Sequence, residues 1–312
     1  MTAFAFVFPG QGSQAVGMLD AWGDHPSVAQ TLAEASAALG EDVGELIRSG
    51  PKEALGLTTN TQPVMLAAGI ACWRAWQAEG GASPLAMAGH SLGEYSALVA
   101  AGALKLSDAL PLVRLRARAM QEAVPVGAGA MAAVLGLDAE AVQASCAQAA
   151  LASGEVVEAV NFNDPKQTVI AGSRAGVERA GEMLKAAGAK RVLPLPVSAP
   201  FHSSLMRPAA ERLRAALAEV PFTAPTIPVV NNIDVAAPSD ARSIRDALVR
   251  QAAGPVRWVE VVRSLKARGA THVIECGPGR VLAGMAKRID ESLVAASIFD
   301  PATLAEVRGM LE

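Results

Sequence analysis

Short apolar runs alternate with longer helical patterns along most of this chain, and this alternation limits the possible folds more than any other feature. Candidate strands cover residues 3–8, 85–89 and 272–276, and each is flanked by glycine or proline. Helical patterns at 61–79 and 107–124 separate them. Parallel strands need long crossover connections, which are usually helices. The sequence therefore predicts an α/β fold with a mostly parallel sheet covered by helices on both faces.

Residues 127–197 depart from this pattern. Their predicted elements follow the order βαββαβ, which is the split-βαβ arrangement of ferredoxin-like domains. The strands are predicted at 131–137, 156–161, 167–171 and 191–196, and the helices at 138–149 and 175–187. We expect a ferredoxin-like subdomain at 127–197, inserted into a core formed by residues 1–126 and 198–312.

Charge and cysteine content exclude several functional classes. Lys and Arg number 27 and Asp and Glu number 30, so a formal net charge of −3 gives no reason to expect a nucleic acid or an anionic membrane as partner. The 3 cysteines are widely spaced, which argues against a disulfide framework and fits a reducing compartment. No CxxC motif or histidine cluster suggests a metal site. With no signal peptide pattern and no apolar run of transmembrane length, we expect a cytoplasmic protein, and nothing demands more than a monomer.

Residues 89–93 read Gly-His-Ser-Leu-Gly and match the pattern G-x-S-x-G. An apolar strand precedes them and an alanine-rich helix follows, which is the setting of a nucleophile elbow. Such a turn holds its serine, here Ser91, exposed and strained, and the two glycines avoid collisions within the turn. The N-terminus of the following helix offers N–H groups to an oxyanion. The alternative is an ordinary glycine-rich turn between a strand and a helix.

A nucleophilic serine needs a base, and His202 is the best candidate among the 4 histidines. It lies in a loop at the predicted hinge after the inserted subdomain, where a rigid scaffold can hold a catalytic group. His25 lies in a polar loop, His90 is next to the serine, and His272 starts a predicted strand. No acidic residue clearly orients His202, although Asp234 and Glu275 follow or end predicted strands.

Arg116 occupies an unusual place on a predicted helix from Ser107 to about residue 124. It lies within the apolar stripe formed by Leu112, Val113, Ala119, Met120 and Ala123, spaced three, four and seven apart. A guanidinium on a buried stripe is costly without an anionic partner. It either forms an ion pair with a core carboxylate or clamps a substrate carboxylate, and the pattern leaves both alternatives open.

Residues 10–15 read Gly-Gln-Gly-Ser-Gln-Ala and fit G-x-G-x-x-A after the first strand. A dinucleotide site would need a helix directly after this loop and then a strand ending in an acidic residue. Here Pro9 precedes the loop, and residues 27–39 are helical, with Ser27 as the expected N-cap. We favour a backbone N–H donor near the elbow, because both loops leave the carboxyl ends of strands.

Taken together, these motifs resemble the malonyl-CoA:acyl carrier protein transacylase family. The resemblance spans nearly the whole chain and rests on the joint order and spacing of its pieces. They are Phe8-Pro9-Gly10-Gln11-Gly12-Ser13-Gln14, Gly89-His90-Ser91-Leu92-Gly93-Glu94-Tyr95, Arg116 with residues 120–125, residues 161–163, residues 196–202, residues 249–251, and Glu275-Cys276-Gly277-Pro278-Gly279.

The resemblance implies an α/β-hydrolase-like core with an inserted ferredoxin-like subdomain, in agreement with the pattern above. It implies that Ser91 is the nucleophile and His202 its base, and that the backbone N–H groups of Gln11 and Leu92 form the oxyanion hole. The family lacks an acidic triad member and orients its histidine with a main-chain carbonyl. The matching position here is Gln251.

By the same resemblance, Arg116 pairs with the free carboxylate of malonyl. Phe201 precedes the histidine, and in related polyketide acyltransferases a Phe there accompanies malonyl rather than methylmalonyl. The implied substrates are malonyl-CoA and the phosphopantetheine thiol of an acyl carrier protein, used in a ping-pong cycle that needs no metal or cofactor. The resemblance fixes neither the carrier protein nor the choice between fatty-acid and polyketide synthesis.

Two other functions remain as alternatives. A serine hydrolase would use the same elbow with water, but α/β-hydrolases place their histidine last in the chain, after an acid. Here about 110 residues follow His202. A non-catalytic docking or scaffold protein for acyl carriers would need neither a serine elbow nor a buried arginine.

Overall fold

The computed structural model describes residues 2–312 and contains two sheets and thirteen α-helices. The strands are β1 (Phe4–Phe8), β2 (Ala86–Gly89), β3 (Gly129–Leu135), β4 (Val157–Asp164), β5 (Gln167–Ser173), β6 (Arg191–Pro194), β7 (Val229–Val230), β8 (His272–Cys276) and β9 (Val294–Ile298). The helices are α1 (Pro26–Leu39), α2 (Val43–Ser49), α3 (Lys52–Gly56), α4 (Thr58–Ala78), α5 (Gly93–Ala100), α6 (Leu106–Glu122), α7 (Ala139–Ser153), α8 (Arg174–Ala186), α9 (Arg207–Glu219), α10 (Ala241–Ala252), α11 (Trp258–Ala267), α12 (Val281–Ile289) and α13 (Pro301–Leu311).

The larger sheet has five parallel strands in the order β7-β2-β1-β8-β9. The predicted parallel sheet is therefore confirmed. Phe8 pairs with Gly89, and Val7 pairs with Glu275. These registers bring the carboxyl ends of β1, β2 and β8 to one edge of the sheet. The loops that follow these strands consequently meet there.

Side chains of β1 alternate between two cores, one on each face of this sheet. Phe6 packs edge-on against Trp73 and Trp76 of α4, with ring centroids 5.5 Å apart in both pairs. Ala5 and Val7 face the opposite core, which α11 and α12 complete. Burying one such aromatic side chain contributes about 1.5–3 kcal/mol. The two-sided burial explains why the strand is apolar throughout and fixes it at the centre of the sheet.

The smaller sheet is antiparallel, in the order β4-β5-β3-β6. Its elements follow the expected order βαββαβ, and α7 and α8 pack on one of its faces. The other face carries Met131, Val160 and Val169, which contact Phe201 and Val197. The exact limits of an inserted subdomain at 127–197 stay a prediction.

Several helix starts differ from the sequence prediction. Ser27 is not an N-cap, because α1 begins at Pro26, whose fixed φ suits the first helical position. Likewise α6 begins at Leu106, one residue before the predicted start at Ser107. Helix α4 begins at Thr58, three residues before the predicted start at residue 61. Within residues 2–312, no helix is both long enough and apolar enough to cross a membrane.

Candidate active site

The turn between β2 and α5 has the geometry of a nucleophile elbow. Ser91 has a φ of 52°, a left-handed conformation that is uncommon for a residue with a side chain. A Cβ on Gly89 would lie 1.9 Å from the carbonyl carbon of Gly93, and a Cβ on Gly93 would lie 2.0 Å from the Phe8 oxygen. Both glycines are therefore required, because the turn packs against its own helix and against the end of β1. An ordinary glycine-rich turn would not need this close approach at both positions.

Ser91 and His202 lie in hydrogen-bond contact, with 2.7 Å between the serine Oγ and the histidine Nε2. The histidine Nδ1 lies 2.9 Å from the main-chain oxygen of Gln251 and 3.2 Å from that of Gly254. Since both oxygens only accept hydrogen bonds, we assign the ring proton to Nδ1. The Nε2 lone pair then faces the serine hydroxyl, as a general base requires.

The two acidic residues named as candidates for orienting His202 do not contact it. Asp234 accepts two hydrogen bonds from Arg250, at 2.6 and 2.7 Å. Glu275 accepts the N–H of Ala283 at the start of α12. Main-chain carbonyls occupy the position that an acid would take.

The environment of His202 keeps its imidazole neutral. Burial lowers the pKa of His202 to about 3, and the positive charge of Arg116 acts in the same direction. The main-chain carbonyl of Gln251 opposes this shift, but more weakly. A neutral imidazole is the form that can accept the proton of the Ser91 hydroxyl.

Arg116 lies on the buried face of α6 and points at the nucleophile. Its side chain is 2% exposed, and Nη2 lies 3.1 Å from both the Ser91 Oγ and the Gln251 Oε1. Nη1 donates to the Gln62 Oε1 at 2.7 Å, and Nε has no partner. No carboxylate in residues 2–312 forms an ion pair with it. The alternative of an internal ion pair with a core carboxylate is therefore wrong.

A cleft of about 490 Å³ opens between the two sheets above this group. Residues from both sheets line it: Gln11, Gly12, Gln14, Gly56, Gln62, His90, Ser91, Leu92, Arg116, Met120, Met131, Asn161, Leu195, Pro196, Val197, Phe201 and His202. The ring of the remaining cleft histidine, His90, lies 2.8 Å from the Asn163 Oδ1 and forms no hydrogen bond with Ser91. The cleft thus combines an apolar wall with one cation and one nucleophile.

Gln11 and Leu92 lie on the loops after β1 and β2, at the same edge of the parallel sheet as Ser91. Their backbone N–H groups have no acceptor among residues 2–312. The Gln11 side chain is held by Thr58, whose hydroxyl donates to its Oε1 at 2.8 Å. Two free N–H groups beside a nucleophile are the arrangement that an oxyanion requires.

Three side chains at this site were not identified from the sequence: Gln62, Glu94 and Asn232. Gln62 holds Arg116, whereas Glu94 and Asn232 are buried behind Ser91. Asn232 follows the short strand β7, which pairs with β2. Asn232 could have been found as a polar residue directly after a strand next to the elbow strand, because the carboxyl ends of parallel strands meet at one edge of the sheet.

Comparison with known proteins agrees with this geometry. The model of the acyl transferase domain family matches residues 5–305. The malonyl CoA-acyl carrier protein transacylase of Salmonella typhimurium is 55% identical over 306 residues, covering 98% of each chain. The crystal structure of an acyl-carrier-protein S-malonyltransferase from Burkholderia pseudomallei superposes with a TM-score of 0.97 at 65% identity, covering 99% of this chain and 100% of that one.

A third similar structure is a complex of a type II PKS acyl-carrier protein, in its holo form, with its malonyl-transacylase. It superposes with a TM-score of 0.97 at 51% identity and covers 99% of this chain and 100% of that one. Both the family model and the curated relative cover well over two thirds of the chain. The chain therefore belongs to the acyl transferase domain family, among the malonyl CoA-acyl carrier protein transacylases.

Proposed function

We propose that this protein transfers a malonyl group from coenzyme A to the phosphopantetheine thiol of an acyl carrier protein, through a malonyl ester of Ser91. The observation that carries the proposal is the buried guanidinium of Arg116, 3.1 Å from the Ser91 Oγ and without a carboxylate partner. A malonyl thioester supplies that missing carboxylate one methylene away from the carbonyl that the serine attacks. A bidentate arginine–carboxylate pair would fix the thioester in the orientation for attack.

In the first half of the cycle, neutral His202 accepts the proton of the Ser91 hydroxyl as its oxygen attacks the thioester carbonyl. The negative charge that develops on the carbonyl oxygen faces the N–H groups of Gln11 and Leu92. Removing one such donor from comparable sites costs about 3–4 kcal/mol of transition-state stabilisation. The C–S bond then breaks, His202 returns the proton to the departing coenzyme A sulfur, and the serine ester remains.

In the second half, His202 accepts the proton of the carrier's thiol, whose sulfur attacks the ester carbonyl. The C–O bond to Ser91 breaks, and the serine oxygen recovers a proton from His202. Nucleophile, base and oxyanion donors come from the chain in each step, so we propose that no metal or further cofactor takes part. Because coenzyme A leaves while the acyl group stays covalently on Ser91, before the carrier's thiol attacks, we expect ping-pong kinetics.

Arg116 and Phe201 would set the choice of acyl group. An acetyl group would leave the buried guanidinium unpaired, which disfavours it. Phe201 lies half-buried against the cleft and fills space near the nucleophile, which we propose excludes an α-methyl group. A cytoplasmic location and a monomeric state remain predictions from the sequence.

Intact mass after incubation with malonyl-CoA alone tests this function. We expect a gain of one malonyl group, absent in Ser91→Ala and retained in Ser96→Ala. Ser96 is the matched control, because it is a buried serine on α5 whose hydroxyl has no partner. Continuous release of free malonate without an accumulating adduct would instead identify a hydrolase. The absence of both adduct and release would identify a docking protein.

A further inference from the structure

Asn232 joins the two sides of the nucleophile elbow through its side chain. Its Oδ1 accepts the backbone N–H of Ser91 at 2.7 Å, and its Nδ2 donates to the main-chain oxygen of Gly89 at 2.7 Å. The residue is fully buried. One amide therefore satisfies the main-chain groups on both flanks of His90, at the point where the chain reverses from strand to helix.

This contact coincides with the strained residue of the turn. A left-handed conformation costs a residue with a side chain about 1–2 kcal/mol, and Ser91 adopts it with a φ of 52°. Without Asn232, the buried N–H of Ser91 would have no acceptor, and the turn could relax toward an ordinary helix start. Such a relaxation would move the Ser91 Oγ away from His202 and from Arg116.

Glu94 connects Asn232 to the rest of the site. It lies in the first turn of α5, is 2% exposed, and its Oε2 accepts two hydrogen bonds. One comes from the backbone N–H of Asn232 at 2.8 Å, and the other from the Gln251 Nε2 at 2.9 Å. A buried carboxylate with only these donors is expensive to retain for stability alone, because a hydrophobic replacement would avoid its desolvation.

Gln251 extends the chain of contacts to the base and the guanidinium. Its main-chain oxygen orients His202, its Oε1 accepts from Arg116, and its Nε2 also donates to the Ser91 main-chain oxygen at 3.0 Å. The amide thus lies between Arg116 and Glu94, with its oxygen toward the guanidinium and its nitrogen toward the carboxyl oxygen. Its orientation is fixed because the guanidinium only donates hydrogen bonds and the Glu94 oxygen accepts one.

We propose that Asn232 and Glu94 are positioning residues of the transferase, which together hold Ser91, His202 and Arg116 in one geometry. Asn232 acts on the backbone of the nucleophile, and Glu94 ties Asn232 to the amide of Gln251. Neither touches the space that the acyl group would occupy, so both act through other residues. This inference rests on the proposed function for its kinetic consequence, but its geometric content can be tested on Ser91 without an acyl donor.

The first measurement is therefore independent of the acyl donor. Phenylmethylsulfonyl fluoride modifies activated serines, and its rate of reaction with Ser91, followed by intact mass, reports the nucleophile directly. We expect Asn232→Ala and Glu94→Ala to lower this rate by about 10²-fold, the size that misplacing reacting groups by 1 Å produces. Glu94→Gln keeps an oxygen that can accept both hydrogen bonds and should recover most of the lost rate.

Thr31→Ala is the matched control for these changes. Thr31 is fully buried in α1, and its hydroxyl makes hydrogen bonds to the Ser27 oxygen and Arg74, away from the cleft. The Thr31→Ala variant also loses a buried polar side-chain group, but that group does not contact the elbow. We expect its rate per folded molecule to equal that of the native protein, although its melting temperature falls.

Steady-state kinetics with malonyl-CoA, normalised to the fraction of chains that can be acylated, provide the second measurement. In both alanine variants kcat should fall while KM changes less than threefold, since no group that binds substrate is removed. The double alanine variant should be no slower than the slower single variant, because residues that act as a unit are not additive. Sulfonylation and kcat per active site that match the native values in both variants would overturn the proposal. A native protein that reacts with the sulfonyl fluoride but not with malonyl-CoA would overturn the proposed function alone.

Discussion

Arg116 and Ser91 meet at a single point of the cleft, where the guanidinium Nη2 lies 3.1 Å from the serine Oγ. In the function proposed above, this cation binds the substrate carboxylate and so fixes the distance from that carboxylate to the attacked carbonyl. We therefore propose that it selects the chain length of the acyl group. This relationship connects the selectivity of the site with its chemistry.

Arg116→Ala should lower kcat/KM for malonyl transfer by about 10- to 100-fold, the value of a hydrogen-bonded charge. Acetyl transfer should change little, because an acetyl group never used the guanidinium. The measurement compares kcat/KM for malonyl-CoA and acetyl-CoA. Arg114→Ala is the control, since Arg114 leaves the same helix on another side and pairs with Glu41. Equal losses with both thioesters would contradict the carboxylate clamp.

The imidazole of His202 should stay neutral from pH 8 down to pH 5. Burial first and Arg116 second lower its pKa to about 3, whereas an unfolded chain binds this proton near pH 6.5. The folded state therefore loses stability through this group as the pH falls from 6.5 toward 3. Side-chain NMR of labelled histidine, assigned with His202→Ala, measures the titration. It should move to higher pH in Arg116→Ala, and a native midpoint near pH 6.5 would refute the prediction.

Glu275→Gln should stabilise the protein at pH 8 and not at pH 5. Burial raises the pKa of Glu275 to about 7, above the ordinary value of 4.5. The stability that this group contributes is full below pH 4.5 and is lost as the pH rises through 7, where the buried carboxyl must ionise. Glutamine stays neutral, so we expect a gain of about 1–3 kcal/mol at pH 8. Urea unfolding at both pH values measures it.

Glu291→Gln is the control for this comparison, because Glu291 is exposed. It should leave the urea midpoint unchanged at both pH values. A gain from Glu275→Gln of the same size at pH 5 and pH 8 would show that ionisation is not its cause.

Gly93→Ala should destabilise the protein by more than about 2 kcal/mol and abolish malonylation. The new methyl would lie 2.0 Å from the Phe8 oxygen at the end of β1, so either the strand or the elbow has to move. Gly309→Ala provides the opposite case within a helix. Nothing lies within 4 Å of that position in α13, and alanine should stabilise by about 0.5–1 kcal/mol. Denaturant midpoints compare the two, and equal effects would refute the steric argument.

Phe201→Ala should raise the ratio of methylmalonyl to malonyl transfer by about tenfold or more, the usual value of one methyl in a pocket. Competition between the two thioesters, analysed by mass of the acylated protein, gives this ratio directly. Phe222→Ala is the control, because Phe222 is also half-buried but stacks with Arg245 outside the cleft. An unchanged ratio in Phe201→Ala would show that the phenyl ring does not determine the selectivity between the two acyl groups.

The elbow could be predicted from the sequence because its determinants are local. A buried strand, two glycines around Ser91 and a following helix all lie within about 15 residues. Arg116 could be located for the same reason, because it is a charged residue within the apolar stripe of a single helix. The pattern could not decide between an internal ion pair and a substrate clamp, because the decision depends on which residues of other elements surround the guanidinium.

The support of the elbow could not be predicted from local pattern. Asn232 and Gln251 lie 141 and 160 residues from Ser91 in sequence, and only the order of strands in the sheet brings them together. Helices α2 and α3 were missed because five to seven residues hold too few turns to show a period. Helices α9 and α13 were also missed, although the buried positions of α9, Ala209, Ala210, Leu213 and Leu217, follow helical spacing.

The strand order has a consequence for synthesis of the chain. The central strands β1 and β2 are complete by residue 89, but their outer neighbours β7 and β8 end only at residues 230 and 276. While residues 90–230 are being made, a growing chain on the ribosome therefore has no partner for either edge of this pair, a state open to association with other chains. Ser91 also precedes His202 by 111 residues and Gln251 by 160 residues in the chain. The contacts among these three residues therefore cannot form before residue 251 has been made.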